Sequence, residues 1–341
     1  MADNARIGFC CTFQSPTGDA AQEKRMNMRT TTISWLKRQS PADAYDRLAD
    51  IVAHNLDALD GQLRFVAGLP PLEHMFRILS GIFPGFSHPD IAPFYDRDLM
   101  ALIEGRLKAA GDYARTNGIR LSMHPGHHTI LATSRPDALA NAITDLMDHV
   151  AIMEMLGYGG GWHPWGAHVN IHGGSGALGV EGIRHGLSQL PAAARDLVTL
   201  ENDEMSFGLD DLLRLAEEVA IVVDFHHHWI RSQGEYLEPE DSRVEGVKAS
   251  WRGVRPAAHI SVSREVLVPH VGAEERPDFL ALSAEGLKAA KLRGHSDMMW
   301  NLAVNDLVAR HLVWCDVEVE AKAKNLASAQ LADHVRKTAN A

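Results

Sequence analysis

Short apolar runs alternate with longer stretches of helical periodicity along the whole chain. Arg6–Cys10, His74–Leu79, Ile119–Met123, Ala167–Ile171, Leu197–Leu200, Ala220–Val223, Ala257–Ile260 and Cys315–Val319 read as eight strands, each four to six residues long. Between them, apolar positions recur at three- and four-residue spacing. Ala42–Leu69 carries Ile51, Leu56, Leu59 and Leu63 on or near one stripe, and Asp98–Asn117 closes on Gly118 as a helix terminator. Further helices are predicted over Pro136–Leu156, Glu181–Gln189, Leu209–Glu218 and Met298–Leu312. Eight strand–helix repeats in one chain fit a single closed (β/α)8 TIM barrel spanning 1–341 better than two domains. An open doubly wound sheet is the alternative, but it would not gather side chains from six strands at one point. Two stretches break the rhythm, 159–166 (GGGWHPWG) and 262–294, and both are expected to ride on the barrel mouth.

A second pattern lies at the strand ends. The runs close as LSMHPG at His124, HVNIHGG at His172, VTLEND at Glu201, IVVDFHHH at Asp224 and His227, AAHIS at His259, RGHSD at His295 and DVEVEAK at Glu320. In a barrel the C-terminal strand ends surround one mouth, so these imidazoles and carboxylates would converge there. Carboxylates meeting at one spot repel unless cations sit between them. Histidine nitrogens and carboxylate oxygens are ligands for manganese, iron and zinc, and the lack of clustered cysteine speaks against a structural zinc site. Period-two geometry puts His168, Asn170 and His172 on one strand face, and Asp316, Glu318 and Glu320 on another. The last of each triplet is the candidate ligand, and the deeper members fill barrel layers or hydrogen-bond to ligands. Asp224 and His227 stand where a strand gives way to a loop. His54, His74, His149, His185, His270, His311 and His334 lie in helical or loop contexts and read as surface or packing residues, as a lone histidine usually is.

Composition narrows the choice. Hydrophobic residues make up 45% and charged residues 23%, as in an ordered globular protein. A formal net charge of −11 argues against indiscriminate nucleic-acid binding, while leaving room for a local basic groove. Lys24, Arg25, Arg29, Lys37 and Arg38 in the first connection are candidates for lining one, with a solvated loop as the equal alternative. Three cysteines, Cys10, Cys11 and Cys315, make no disulfide framework and read as strand-end thiols. No apolar run approaches ~18 residues and no signal-peptide pattern opens the chain, so a cytoplasmic protein without membrane contact is expected.

In RIGFC, RTTTISWLKR, HNLDALDGQLRF, FRILSGIFPGFSHPD, LSMHPG, NIHGG, TLENDE, VVDFHHH and EAKAK, in this order, the chain resembles the UV damage endonuclease (UvdE/UvsE) family over nearly its whole length. The resemblance implies a metal-dependent DNA repair endonuclease on a TIM barrel related to endonuclease IV, which hydrolyses a phosphodiester 5′ to a lesion in damaged duplex DNA through a metal-activated water. It implies two to three divalent ions, manganese foremost with zinc or iron as alternatives. His124, His172 and Glu201 match one site, Glu201, Asp224, His259 and Glu320 a second, and His227 with His295 a third. Glu201 is thereby the central catalytic residue, and Arg77 and Lys322 are candidates for phosphate contacts or for support of the ligands. The family's base-probing Gln–aromatic pair after HPG is replaced by His127 and His128, the candidate substrate-binding residues. A family lysine that can carry a metal-binding carboxylate is Ala257 here, and Glu318 on the adjacent strand is expected to supply the missing ligand. The segment 262–294 is longer than the family norm. These departures keep open a second reading: the same barrel with a multinuclear cluster, iron included, acting on a peptide or small molecule, or as a sugar isomerase-like enzyme. A non-catalytic metal scaffold is the third reading and the least favoured, since open coordination at the mouth is unnecessary for structure alone.

Overall fold

The computed structural model describes residues 4–339. Eight parallel strands close into a barrel: β1 (Ile7–Cys10), β2 (Met75–Ile78), β3 (Arg120–Met123), β4 (His168–His172), β5 (Val198–Glu201), β6 (Ala220–Asp224), β7 (Ala257–Ile260) and β8 (Asp316–Val319), with β8 returning to pair with β1. Each strand was legible as an apolar run, with ends shifted by a residue or two. The helices pack outside. Pro41–Ala67 is stopped at its N-terminus by Ser40, whose hydroxyl accepts from the Asp43 amide, and it turns Leu48, Ile51, Val52, Leu56, Leu59 and Leu63 onto the barrel. Arg97–Thr116 is capped by Asp96, which accepts from the Asp98 and Leu99 amides. No helix among the described residues is long and apolar enough to cross a membrane.

Three differences from the sequence reading have local causes. The helix predicted over Leu209–Glu218 ends at Leu213, after which three-residue turns (Leu215 to Leu212, Glu218 to Leu215) tighten the chain into β6. The one predicted from Met298 begins at Leu302, because Asn301 caps it by accepting from the Val304 amide. The loop predicted after Asp224 is instead a helix, Phe225–Arg231, that starts as soon as the strand stops. Asp224 Oδ1 accepts from the His227 amide at 2.6 Å, so one oxygen is spent on a cap and the other is left free.

The two interrupting stretches part company. Val262–Gly294 follows β7 and lies on the C-terminal side, folded over Trp229 and Ile230 through its own apolar cluster of Leu267, Val271, Phe279, Leu282 and Leu292. Gly159–Gly166 precedes β4, and a segment that leads into a strand reaches its N-terminal end. It therefore sits at the base of the barrel, not at the mouth: His163 donates its amide to Asp196, Trp162 Nε1 donates to the Trp251 carbonyl and Arg120 Nε to the Gly166 carbonyl.

Inside, the barrel is filled in polar layers. At the base Arg120, wholly buried, donates to Asp316 Oδ2 at 2.9 Å and lies over the Trp251 ring. One layer up are Ser122, Asn170, Thr199, Arg77 and Glu318. His311, expected to be a surface or packing residue, is fully buried outside the barrel. Its Nδ1 accepts from Trp314 Nε1 at 3.0 Å and its Nε2 donates to the Leu237 carbonyl at 2.9 Å, which leaves no place for a second proton. Burial pushes its pKa down to about 4 against the Leu237 bond that raises it. A depressed folded-state pKa contributes stability above the unfolded value near 6.5 that is lost as pH falls toward 4. Thermal melts should therefore show the protein about 2 kcal/mol weaker at pH 5 than at pH 8 on account of this group. A His311→Phe variant should show a correspondingly flatter profile, and an equal acid sensitivity would contradict the assignment.

Candidate metal centre

The strand register does the gathering. His172 pairs with Glu201 across β4 and β5, Asp224 with His259 across β6 and β7, and His259 with Glu318 across β7 and β8, so each candidate stands beside the next around the rim. One potential ligand atom from each of His124, His172 and Glu201 lies within 4.8 Å of the others, and the same holds for Glu201, Asp224, His259 and Glu320. His227 stands 6.0 Å from His295, ring to ring, and 5.9 Å from His172. Of these, His124, His172, His227, His295 and Glu320 line a cavity of about 830 Å³ at the barrel mouth, with Glu201, Asp224 and His259 fully buried.

Hydrogen bonding selects which atoms face inward. His124 Nδ1 lies 2.9 Å from the Pro125 carbonyl, His227 Nδ1 3.1 Å from the Asn202 carbonyl and His295 Nδ1 2.8 Å from the Glu320 carbonyl. A carbonyl accepts only, so Nδ1 carries the proton and each Nε2 presents a lone pair, the usual state of a metal-binding imidazole. His124 Nε2 then faces Glu201 Oε2 at 3.1 Å, two acceptors in contact with nothing between them. Among the buried atoms without a hydrogen-bond partner, four lie at the mouth: Glu201 Oε1, Asp224 Oδ2, His172 Nδ1 and His259 Nδ1. Buried polar atoms are rarely left unpaired, and these four belong to the two groups above. The donor set fits divalent cations.

Electrostatics agrees. Burial alone would raise the Glu201 carboxyl, but the imidazoles of His259 and His172 hold it well below the usual range. Asp224 goes the other way, raised by burial and by the neighbouring Glu201 and Glu320 charges despite His227. Burial works to lower His259, but the Glu201 and Glu320 carboxylates together push it up to about 10 against burial and the Arg77 charge.

The whole-chain comparison decides the family. The UV-endonuclease UvdE family model matches residues 5–340. The chain belongs to the UV-endonuclease UvdE family. Among relatives, a UV DNA damage endonuclease of Bacillus cereus is 24% identical over 315 residues, covering 90% of this chain and 89% of its own. Another from a second B. cereus strain is 26% identical over 246 residues, 69% of this chain and 73% of its own. The solved structure of SacUVDE superposes with a TM-score of 0.73 at 22% identity, covering 98% of this chain and 99% of that one, which supports the barrel.

Against the family pattern, several expected residues stand elsewhere. Glu318, expected as an extra ligand, is taken up by others: Arg77 Nε donates to its Oε2 at 2.7 Å and Ser122 Oγ donates to its Oε1. It lies beside His259 instead, with Oε2 3.4 Å from Nε2, and Arg77 Nη2 stands 2.8 Å from the same nitrogen. Arg77 also reaches Glu320 Oε1 at 2.6 Å, so it holds the carboxylates of the cluster together. Lys322 is half exposed, 3.5 Å from Asp297, and off the cavity wall, whereas Lys324 lines it. Of the paired histidines, His127 lies flat on His172 at 5.4 Å and lines the cavity. His128 folds back over Gly126, where any Cβ would meet its ring at 2.7 Å, toward Asp145. In the first connection Arg29 and Lys37 pair with Asp50 and Asp90, while Lys24, Arg25 and Arg38 have no carboxylate partner among the described residues. Sequence reasoning missed Lys324, Glu204 and Met205 on the cavity wall. Glu204 and Lys324 are the last residues of the TLENDE and EAKAK motifs, and Met205 directly follows the first.

Proposed function

We propose that this protein is a divalent-metal-dependent endonuclease that hydrolyses one phosphodiester 5′ to a lesion in damaged duplex DNA. The observation that carries the reading is the set of unpartnered atoms facing one another at the mouth: Glu201 Oε1, Asp224 Oδ2, His172 Nδ1 and His259 Nδ1. Two to three ions, manganese by preference, would be held by His124, His172 and Glu201, by Glu201, Asp224, His259 and Glu320, and by His227 with His295. Such ions lower the pKa of bound water and offset the charge that develops on a phosphate under in-line attack.

The chain's own groups do the rest. Glu201 stays ionised and central, and Asn170 Nδ2 fixes its Oε2 at 2.5 Å. The backbone carbonyls of Pro125, Asn202 and Glu320 hold three imidazoles with their lone pairs inward. Lys324 on the cavity wall supplies positive charge to the leaving strand's phosphate. Water attacks phosphorus, the P–O bond to one sugar oxygen breaks, and no protein base is required.

A plasmid nicking assay tests this. Irradiated plasmid should be nicked with manganese, left intact with EDTA and nicked again on restoring the metal, while undamaged plasmid is spared. A fully metal-loaded protein that makes no lesion-dependent nick would overturn the reading.

A further inference from the structure

The loop after β5 presents an apolar side chain where none is needed for folding. Met205 is 64% exposed and stands on the wall of the cavity. A single exposed methionine on an open surface would need no explanation. This one is mounted on a rigid stage. The Asp203 carboxylate accepts from the amides of Met205 at 2.7 Å, of Ser206 and of Phe207 at 3.1 Å, and the Asp203 amide donates to the Phe207 carbonyl at 2.9 Å. Arg231 donates to the Met205 carbonyl at 2.9 Å, and Arg293 reaches its sulfur at 3.1 Å. An exposed thioether gains nothing from being held so firmly unless a partner meets it there.

The surroundings say what kind of partner. Two guanidiniums flank the methionine, Arg231 from the helix after β6 and Arg293, whose Nη1 also lies 3.7 Å from Glu204 Oε1, from the segment after β7. Beyond them Arg264, Lys288 and Lys291 are exposed, with no carboxylate within ion-pair distance among the described residues. Arg264 lies along Gly294, where a Cβ would meet its Cδ at 3.0 Å, next to His295. An apolar tip between cationic side chains is the pattern of proteins that push a wedge between base steps while gripping the flanking phosphates. The two histidines that come after HPG do not project in this way, since His127 lies on His172 and His128 folds over Gly126.

We propose that Met205 is a wedge that enters the base stack of a DNA duplex laid across the mouth, with Arg231 and Arg293 receiving the phosphates on either side. The proposal rests on the nuclease reading above. It is tested on a duplex with one lesion and 2-aminopurine beside it, whose fluorescence rises when the base unstacks. Bound in EDTA, wild-type protein should raise the signal, Met205→Leu should keep the rise, and Met205→Ala should lose most of it. With manganese, Met205→Ala should raise KM about tenfold, since contacts with an unstacked base are worth about that much, and change kcat little. Metal content and melting temperature should match wild type. A Met205→Ala variant with wild-type fluorescence and KM would overturn the wedge while the nuclease reading stands. A wild-type protein that nicks no irradiated DNA would instead fail the reading beneath it.

Discussion

Glu201→Gln is expected to abolish turnover, lowering kcat by about 10^3-fold or more, with the fold intact. One carboxylate serves four imidazoles: Oε2 faces His124 at 3.1 Å, and Oε1 faces His259 at 3.1 Å and His227 at 3.3 Å, with His172 completing the first group. The amide has the same shape and can still accept from Asn170, so packing survives. What is lost is the charge shared by both ligand groups. Elemental analysis should show fewer bound ions per chain, and circular dichroism should be unchanged. Unaltered turnover would show that the centre has been misassigned.

The second large effect is expected at Arg77. Its guanidinium is buried and contacts Glu318, Glu320 and His259 at 2.6 to 2.8 Å. Burial would raise the Glu318 carboxyl, and the Arg77 charge is what holds it well below the usual range. Arg77→Met leaves a fully buried carboxylate without its counter-charge. Removing one partner of such a pair costs about 3–5 kcal/mol, a fall in Tm of about 4–7 °C for a chain of this length. The double variant Arg77→Met with Glu318→Met should recover most of that loss, because replacing a buried pair by apolar groups is often neutral. It should not recover function: His259 would lack the carboxylate beside it, and metal affinity should fall about 10–100-fold. Thermal melts and metal titrations of both variants separate the two effects. A single variant within about 1 kcal/mol of wild type would contradict the structural role given to Arg77.

Much of the candidate site was legible because a barrel converts strand order into a ring. Once eight short apolar runs are counted, the residues that end them must meet, and His124, His172, Glu201, Asp224, His259 and Glu320 do. The period of two along β4 and β8 also foretold the layers beneath, with Asn170 and Glu318 one step below His172 and Glu320. Less was legible where one strand end could serve either of two faces or partners. Gly159–Gly166 was assigned to the mouth although a segment that leads into a strand reaches its base.

By itself, then, the chain determined the barrel, the ring of imidazoles and carboxylates, and membership of a family, since all of these arise from local apolarity, its period and the residues at its ends. The tertiary structure decided which charge meets which. Glu318 went to Arg77 and Ser122, Lys322 to Asp297, and Lys324 and Met205 to the cavity wall. The partners of Arg77 lie 241 and 243 residues away in sequence, and no local pattern records a distance closed only when the eighth strand meets the first.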